Sequence, residues 1–118
     1  MDKFSALSDS SRRKIIEMLA GRGPLSARDI CEQFQMTPPA ISQHLKILRE
    51  ANLVQVEKRA QQRIYRINPG AMLELEGWAK QMTQLWSQRF ERLDALLQVE
   101  KGENSPITNR KDEPNDHK

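Results

Sequence analysis

Apolar positions recur with the period of an α-helix at the start of the chain. Met1–Leu7 shows this pattern over one short stretch, which predicts a weak helix. Ser8 and Asp9 interrupt it, and either side chain can cap the helix that follows. Ser10–Ala20 is amphipathic, and Gly21 marks its end. The polar side of this second helix is basic and is predicted to face outward: Arg12, Arg13 and Lys14.

Two further helical stretches follow, joined by a short turn. Ser26, with Asp29 three residues later, is a variant of the capping box and predicts a helix over Ala27–Phe34. The residues that this helix is predicted to bury are Ile30, Cys31 and Phe34. Gln35 and Met36 then lead directly into another helix. Two short helices joined in this way are typical of a helix-turn-helix.

The second of these helices covers Thr37–Asn52 and has a marked start and end. Thr37 can cap it, Pro38 falls in its first turn, and Asn52 can adopt the left-handed conformation that ends a helix. Its apolar stripe is Ile41, Leu45 and Leu48. Its opposite face carries Pro39, Ala40, Ser42, Gln43 and Lys46. Such a face, without an acid, suits the edges of DNA bases, although an ordinary surface helix has a similar pattern.

Beyond Asn52 the apolar period changes from 3.6 to 2. Two strand-like runs, from Leu53 to Val56 and from Ile64 to Ile67, predict a hairpin. The polar stretch Lys58–Arg63 separates them and lacks an Asn-Gly pair, so its loop is expected to exceed two residues. A basic hairpin after a helix-turn-helix favours a wing that grips sugar-phosphate, rather than a hairpin charged only for solubility.

The longest periodic segment is Ala71–Val99, with apolar residues every three or four positions over roughly 40 Å. A domain this small cannot cover such a stripe, so a partner surface is expected, most simply a second copy in a twofold dimer. Two alternatives remain: the helix packs on its own domain, or Leu75–Leu97 captures a different protein. We predict one domain over residues 1–98 and a disordered polar tail over residues 99–118.

Charge and composition narrow the class of partner. The 118 residues carry a net charge of +3, but residues 37–66 hold six basic and two acidic residues, a local excess of four. This concentration favours a polyanion such as double-stranded DNA. No signal peptide or membrane span is apparent, so no membrane partner is expected. Cys31 is the only cysteine, which fits a reducing, cytoplasmic location.

Assembled in this order, the chain resembles the ArsR family of bacterial winged-helix repressors, also called ArsR/SmtB. The residues that carry the resemblance are Ala6–Arg13, Ile41–Val54, in which Ser-x-His-Leu-x-x-Leu is the most specific part, and Arg63–Ile67. The likeness covers residues 2 to about 98. The run from Trp78 to Leu96 is similar to the SdpR-like autorepressor branch. The implied fold is mainly α with a small β-hairpin wing, dimeric through the N-terminal and C-terminal helices.

The resemblance also implies where such a homodimer contacts a palindromic operator and itself. The helix 39–51 would enter the major groove and the 58–63 wing would contact the flanking backbone. The implied DNA contacts are Thr37, Pro39, Ala40, Ser42, Gln43 and Lys46 on the helix, and Arg59, Gln62 and Arg63 on the wing. The implied dimer contacts are Phe4, Leu7, Leu75, Trp78, Met82, Leu85, Trp86 and Leu93. Gln43 is the first choice for base reading, because its amide can pair bidentately with adenine.

The sequence departs from the metal-sensing members of this family. Where those members carry a cysteine pair, this chain has Ser26 and Arg28, and Cys31 matches a position that is usually core. No cofactor or metal is expected, and constitutive repression, of its own operon in the simplest case, is the expectation. His44 lies beside the apolar stripe, so a structural role is favoured over pH sensing. No catalytic constellation is present, so an enzyme is not expected.

Overall fold

The computed structural model describes residues 1–101, and the side chains of residues 1–99. The chain forms five helices and three strands over these residues. In chain order they are α1 (Lys3–Ala6), α2 (Ser10–Arg22), β1 (Leu25–Ser26), α3 (Ala27–Cys31), α4 (Pro38–Glu50), β2 (Val54–Arg59), β3 (Gln62–Ile67) and α5 (Pro69–Lys101). The strands make one antiparallel sheet in the order β1-β3-β2. The chain divides into two compact units, Met1–Glu76 and Gly77 onward.

The first unit contains the buried core. Helices α2, α3 and α4 and the residue just before β2 supply its largest fully buried side chains: Ile15, Ile30, Ile41, Leu45, Leu48 and Leu53. The predicted stripe of α4 is therefore confirmed as its buried face. Burial of each such side chain stabilises the unit by about 1.5–3 kcal/mol.

Both ends of α4 have the predicted caps. The Thr37 hydroxyl accepts a hydrogen bond from the Ala40 N–H at 3.3 Å, and prolines occupy the first two helical positions. At the other end, Asn52 has φ 62° and donates to the Arg49 carbonyl, while Leu53 donates to the Leu48 carbonyl. These two bonds form a Schellman motif. The sequence-based start and end of this helix are confirmed.

Three local predictions are wrong. α3 ends at Cys31 rather than Phe34, and bends and turns connect it to α4. The hairpin loop has only two residues, Ala60 and Gln61, since Arg59 pairs with Gln62. Ala60 takes φ 53°, the positive angle that a tight hairpin requires at its first turn residue and that L-residues adopt at some cost. Sequence periodicity also missed β1, which is only two residues long.

Arg12 is a fourth error, because it does not belong to an outer basic face. Only 8% of this residue is exposed, whereas Arg13 and Lys14 are exposed as predicted. Its guanidinium donates to the Ala6 carbonyl oxygen at 2.6 Å, so it lies against the end of α1.

Asp9 caps α2 and makes its contribution to stability depend on pH. Its carboxylate accepts from the N–H groups of Ser11 at 2.8 Å and Arg12 at 3.2 Å. These hydrogen bonds, that from Arg12 foremost, lower the pKa of Asp9 below its ordinary value of 3.8. A lowered pKa means that the cap stabilises the fold above that value and that the stabilisation is lost as the pH falls through the folded pKa.

We therefore expect Asp9→Ala to lower the free energy of unfolding by about 1 kcal/mol at neutral pH. Urea denaturation at pH 7 and near pH 3 measures this, and the difference from the wild type should shrink at the lower pH. Asp9→Asn is the matched control, because an asparagine caps well without a titrating charge. An Asp9→Ala deficit of the same size at both pH values would contradict the expectation.

Candidate nucleic-acid interface

Helix α4 presents a polar face away from its buried stripe. Pro39, Ser42, Gln43 and Lys46 are exposed there, and Ala40 is half-buried. Thr37 is exposed too, although its hydroxyl is already engaged as the helix cap. The six residues predicted for this helix thus lie at its N-terminal end and along one side. The face offers amide, hydroxyl and ammonium groups, which can donate to acceptors on bases and phosphates.

The register of the hairpin divides the predicted wing residues between two faces. Arg59 pairs directly with Gln62, whereas Arg63 pairs with Lys58. Because successive side chains of a strand point to opposite faces, Arg59 and Gln62 share one face and Arg63 lies on the other. The structure therefore does not bring the three predicted residues together. Lys58 is a wing residue that the predicted set of DNA contacts omitted.

The two faces of the wing differ in how their charge is balanced. On one face the Glu57 carboxylate lies 3.4 Å from Arg59 Nε and 3.3 Å from an Arg66 guanidinium nitrogen. On the other face Lys58 and Arg63 stand opposite each other, and no ion pair forms with either within the described part of the chain. Like charges directly opposite across a sheet repel. An anion bound between them would relieve that repulsion.

A cleft of about 520 Å³ adjoins Arg63 of this pair. It is lined by Ser26, Ala27 and Arg28 at the start of α3, and by Gln61, Gln62 and Arg63 at the tip of the wing. The pairing of β1 with β3 places these elements side by side, with Ser26 opposite Ile64. Two guanidinium groups and two amides border the cleft, and Glu32 lies 3.9 Å from one of them, Arg28.

Comparison with known proteins identifies a family profile and several relatives that this chain matches. Residues 9–56 match the profile of bacterial regulatory proteins of the arsR family, a stretch that includes α2, the helix-turn-helix and the start of the wing. The transcriptional repressor SdpR of Bacillus subtilis is 37% identical over 75 residues, which are 64% of this chain and 82% of that protein. The arsenical resistance operon repressor of Escherichia coli is 30% identical over 80% of this chain and 78% of that protein.

This chain belongs to the ArsR family. A solved structure agrees: an ArsR-like transcriptional regulator from Rhodococcus has a TM-score of 0.65 and 29% identity, over 86% of this chain and 91% of that one. The predicted family and the winged helix-turn-helix fold are confirmed. The alignment with SdpR also agrees with the branch that the C-terminal run suggested.

Ser26, Arg28 and Cys31 are the residues that the sequence analysis compared with metal-sensing members of the family. The Ser26 hydroxyl accepts from the Asp29 N–H at 3.0 Å, as expected for a helix cap, and Arg28 is exposed. Cys31 is half-buried beside the core. Among the side chains of residues 1–99, no three from His, Cys, Asp or Glu lie close enough together to hold a metal ion. No described helix has the length and apolar character needed to cross a membrane.

The part of α5 in the second unit exposes its apolar side chains. Trp86 is 68% exposed, Leu93 55% and Leu85 51%. Of the other predicted dimer residues, Phe4, Trp78 and Met82 are also exposed, while Leu7 and Leu75 pack in part against the core of the first unit. A shallow cleft of about 520 Å³ on this part of α5 is lined by Met82, Leu85, Trp86, Gln88, Arg89 and Arg92.

Proposed function

We propose that the protein is a sequence-specific DNA-binding repressor that acts as a homodimer on a palindromic operator. The observation that carries this is the capped, acid-free polar face of α4, beside a wing with an unbalanced pair of positive charges. In the proposed complex, α4 lies in the major groove and the wing contacts the flanking backbone. The names of two relatives, a transcriptional repressor and an operon repressor, support repression.

The proposed division of labour follows from side-chain chemistry. Gln43 reads a base, because its exposed amide both donates and accepts and so matches the N7 and N6 positions of adenine. Lys46 offers a single ammonium group and contacts phosphate. The Lys58 and Arg63 pair grips another phosphate, since Glu57 does not offset its charge. Arg59 contributes less, because Glu57 shares its guanidinium.

The proposed dimer uses the apolar side chains of α5 together with those near α1. Two copies related by a twofold axis would cover these surfaces and present two α4 helices to the half-sites of a palindrome.

The proposed repression is constitutive, and two residues near the start of α3 support this. Where metal sensors carry thiols, Ser26 is engaged as a cap and Arg28 is cationic, and neither group is a metal ligand of that class.

Selection of bound duplexes from random DNA tests this function most directly. The expected outcome is a palindromic consensus with half-sites about one helical turn apart. Binding of the selected duplex should weaken steeply as salt rises, because phosphate contacts release counterions. Failure to enrich any sequence, or binding that does not respond to salt, would contradict the proposal.

Gln43→Ala is expected to relax sequence preference at one position of each half-site. Loss of a bidentate base contact costs about 1–3 kcal/mol of discrimination. Affinity for the selected duplex should fall by about 2–6 kcal/mol, since a dimer loses one such contact in each of two half-sites, while affinity for scrambled duplex stays within about twofold, since non-specific binding rests on phosphates. Fluorescence anisotropy with both duplexes measures it. Gln81→Ala, an exposed glutamine on α5, is the control and should leave both affinities unchanged.

The exposed α5 face also supports a second candidate function, a protein-interaction module that captures a different protein with Leu75–Leu97. Sedimentation of the purified chain separates the two. A homodimer favours the repressor, whereas a monomer that purifies in a fixed ratio with another protein favours the module.

A further inference from the structure

Arg12 connects three helices of the first unit. It lies on α2, and only 8% of the residue is exposed to solvent. Its Nε donates to the Ala6 carbonyl at the end of α1, at 2.6 Å, and another guanidinium nitrogen lies 3.2 Å from His44 Nδ1 on α4. One side chain therefore ties the end of α1 to the middle of the helix that carries Gln43.

The chemistry of this contact determines the state of His44. A guanidinium can only donate hydrogen bonds, so His44 Nδ1 must accept. In this contact the other ring nitrogen, Nε2, carries the proton. The carboxylate of Asp9, the N-cap of α2, also lies near Arg12 and His44. Burying an arginine costs free energy unless its N–H donors are hydrogen-bonded. The arrangement therefore depends on the Ala6 carbonyl and on His44 Nδ1 as acceptors.

We propose that Arg12 and His44 are positioning residues for DNA reading: their hydrogen bond sets α4 in the orientation in which Gln43 meets the base. The inference rests on the proposed DNA-binding function. His44 directly follows Gln43, so a shift of α4 that breaks the bond also moves the amide. Because the same guanidinium holds the Ala6 carbonyl, the position of α1 is transmitted to α4 through one side chain.

The test uses the full chain, the duplex selected from random DNA and a scrambled duplex. His44→Leu removes the acceptor, and we expect its affinity for the selected duplex to fall about thirtyfold or more, the loss of one base contact in each half-site, with little change on scrambled DNA. His44→Asn keeps an amide oxygen near the position of Nδ1 and should restore most of that loss. Both are measured well below their midpoints of thermal unfolding.

Rescue by the conservative variant provides a readout that a purely structural role would not change. His44→Asn restores the acceptor, so it should recover the preference for the selected over the scrambled duplex, whereas His44→Leu should not. His117→Asn, a change at the other histidine, is the control and should keep the wild-type affinities.

The outcomes are distinguishable. If the wild type binds the selected duplex and a folded His44→Leu variant binds it equally well, the positioning role is overturned and the proposed function stands. If His44→Leu does not fold, a folded Arg12→Lys variant, which lacks the forked donor that joins Ala6 to His44, overturns the role when it binds the selected duplex as well as the wild type does. If the wild type binds no duplex at all, both proposals are overturned.

Discussion

Replacing Lys58 and Arg63 together with alanine is expected to weaken binding to duplex DNA by roughly a thousandfold. A dimer carries two copies of the pair, and four charged contacts at about 1 kcal/mol each amount to about 4 kcal/mol. The pair stands opposed across β2 and β3 without an ion-paired acid among the described residues, so its charge is fully available to phosphate. The loss should be equal for selected and scrambled duplexes, since phosphate carries no sequence information.

The salt dependence gives an independent measure of the same contacts. Each neutralised phosphate contributes about 0.9 to the slope of log K against log salt, so loss of the one phosphate that each pair grips, two in a dimer, lowers the slope by about 1.8. Anisotropy titrations over a range of salt concentrations determine both the affinity and the slope for each variant.

Arg59→Ala is the matched control on the same wing. Its guanidinium is exposed but lies 3.4 Å from the Glu57 carboxylate, so its removal should cost much less than removal of Arg63. An Arg59→Ala variant that loses as much affinity as Arg63→Ala would show that the face with Glu57 grips the backbone. The division of the wing would then be wrong, although DNA binding itself would stand.

What could be predicted from sequence was mostly local in origin. The hydroxyl of Thr37, the prolines after it and the conformational tolerance of Asn52 act within one turn of α4, so its bounds could be inferred from neighbouring residues. The apolar stripe of α4 was likewise predictable, because helical spacing alone defines it. The family resemblance depended on the same stretch.

What escaped prediction depends on distant partners. β1 exists because Leu25 pairs with Tyr65, forty positions away, and two residues carry no period of their own. Arg12 has the sequence pattern of a surface residue. It is buried because the fold places Ala6 and His44 against it. Ala60 takes a positive φ, although it is neither a glycine nor an asparagine, the residues that usually indicate such an angle.

The turn at Ala60 also explains the error in the wing. A two-residue loop fixes the pairing of β2 with β3, and the pairing decides which residues share a face. With a longer loop, the opposition of Lys58 and Arg63 could not be inferred. The candidate DNA face of α4 was thus predictable from sequence, whereas the balance of charge on the wing required the register.

Leu85→Glu combined with Trp86→Glu is expected to convert the proposed dimer to a monomer. Burying an aromatic side chain removes about 150–250 Å² from water, so at about 25 cal/mol per Å² the exposed two thirds of Trp86 contributes roughly 3 to 4 kcal/mol per copy. The variant loses this term in both copies and also places carboxylates in the apolar surface. Sedimentation equilibrium measures the change in mass.

DNA binding should fall with the dimer. Linking two half-site readers makes the second contact intramolecular, and this raises affinity by about a hundredfold to ten-thousandfold over a single reader. The monomeric variant should therefore lose that factor on a palindrome but bind an isolated half-site as the wild-type protomer does. Its first unit should keep its unfolding midpoint, because neither side chain belongs to that core.

Gln81→Glu is the matched control for this change. It adds the same kind of charge to the same helix without removing apolar surface, so it should remain dimeric and keep its affinity for the palindrome. A double variant that stays dimeric would place the self-contact elsewhere. A wild-type chain that sediments as a monomer and binds another protein through Trp86 would overturn the dimer, because the apolar face of α5 would then have a different occupant.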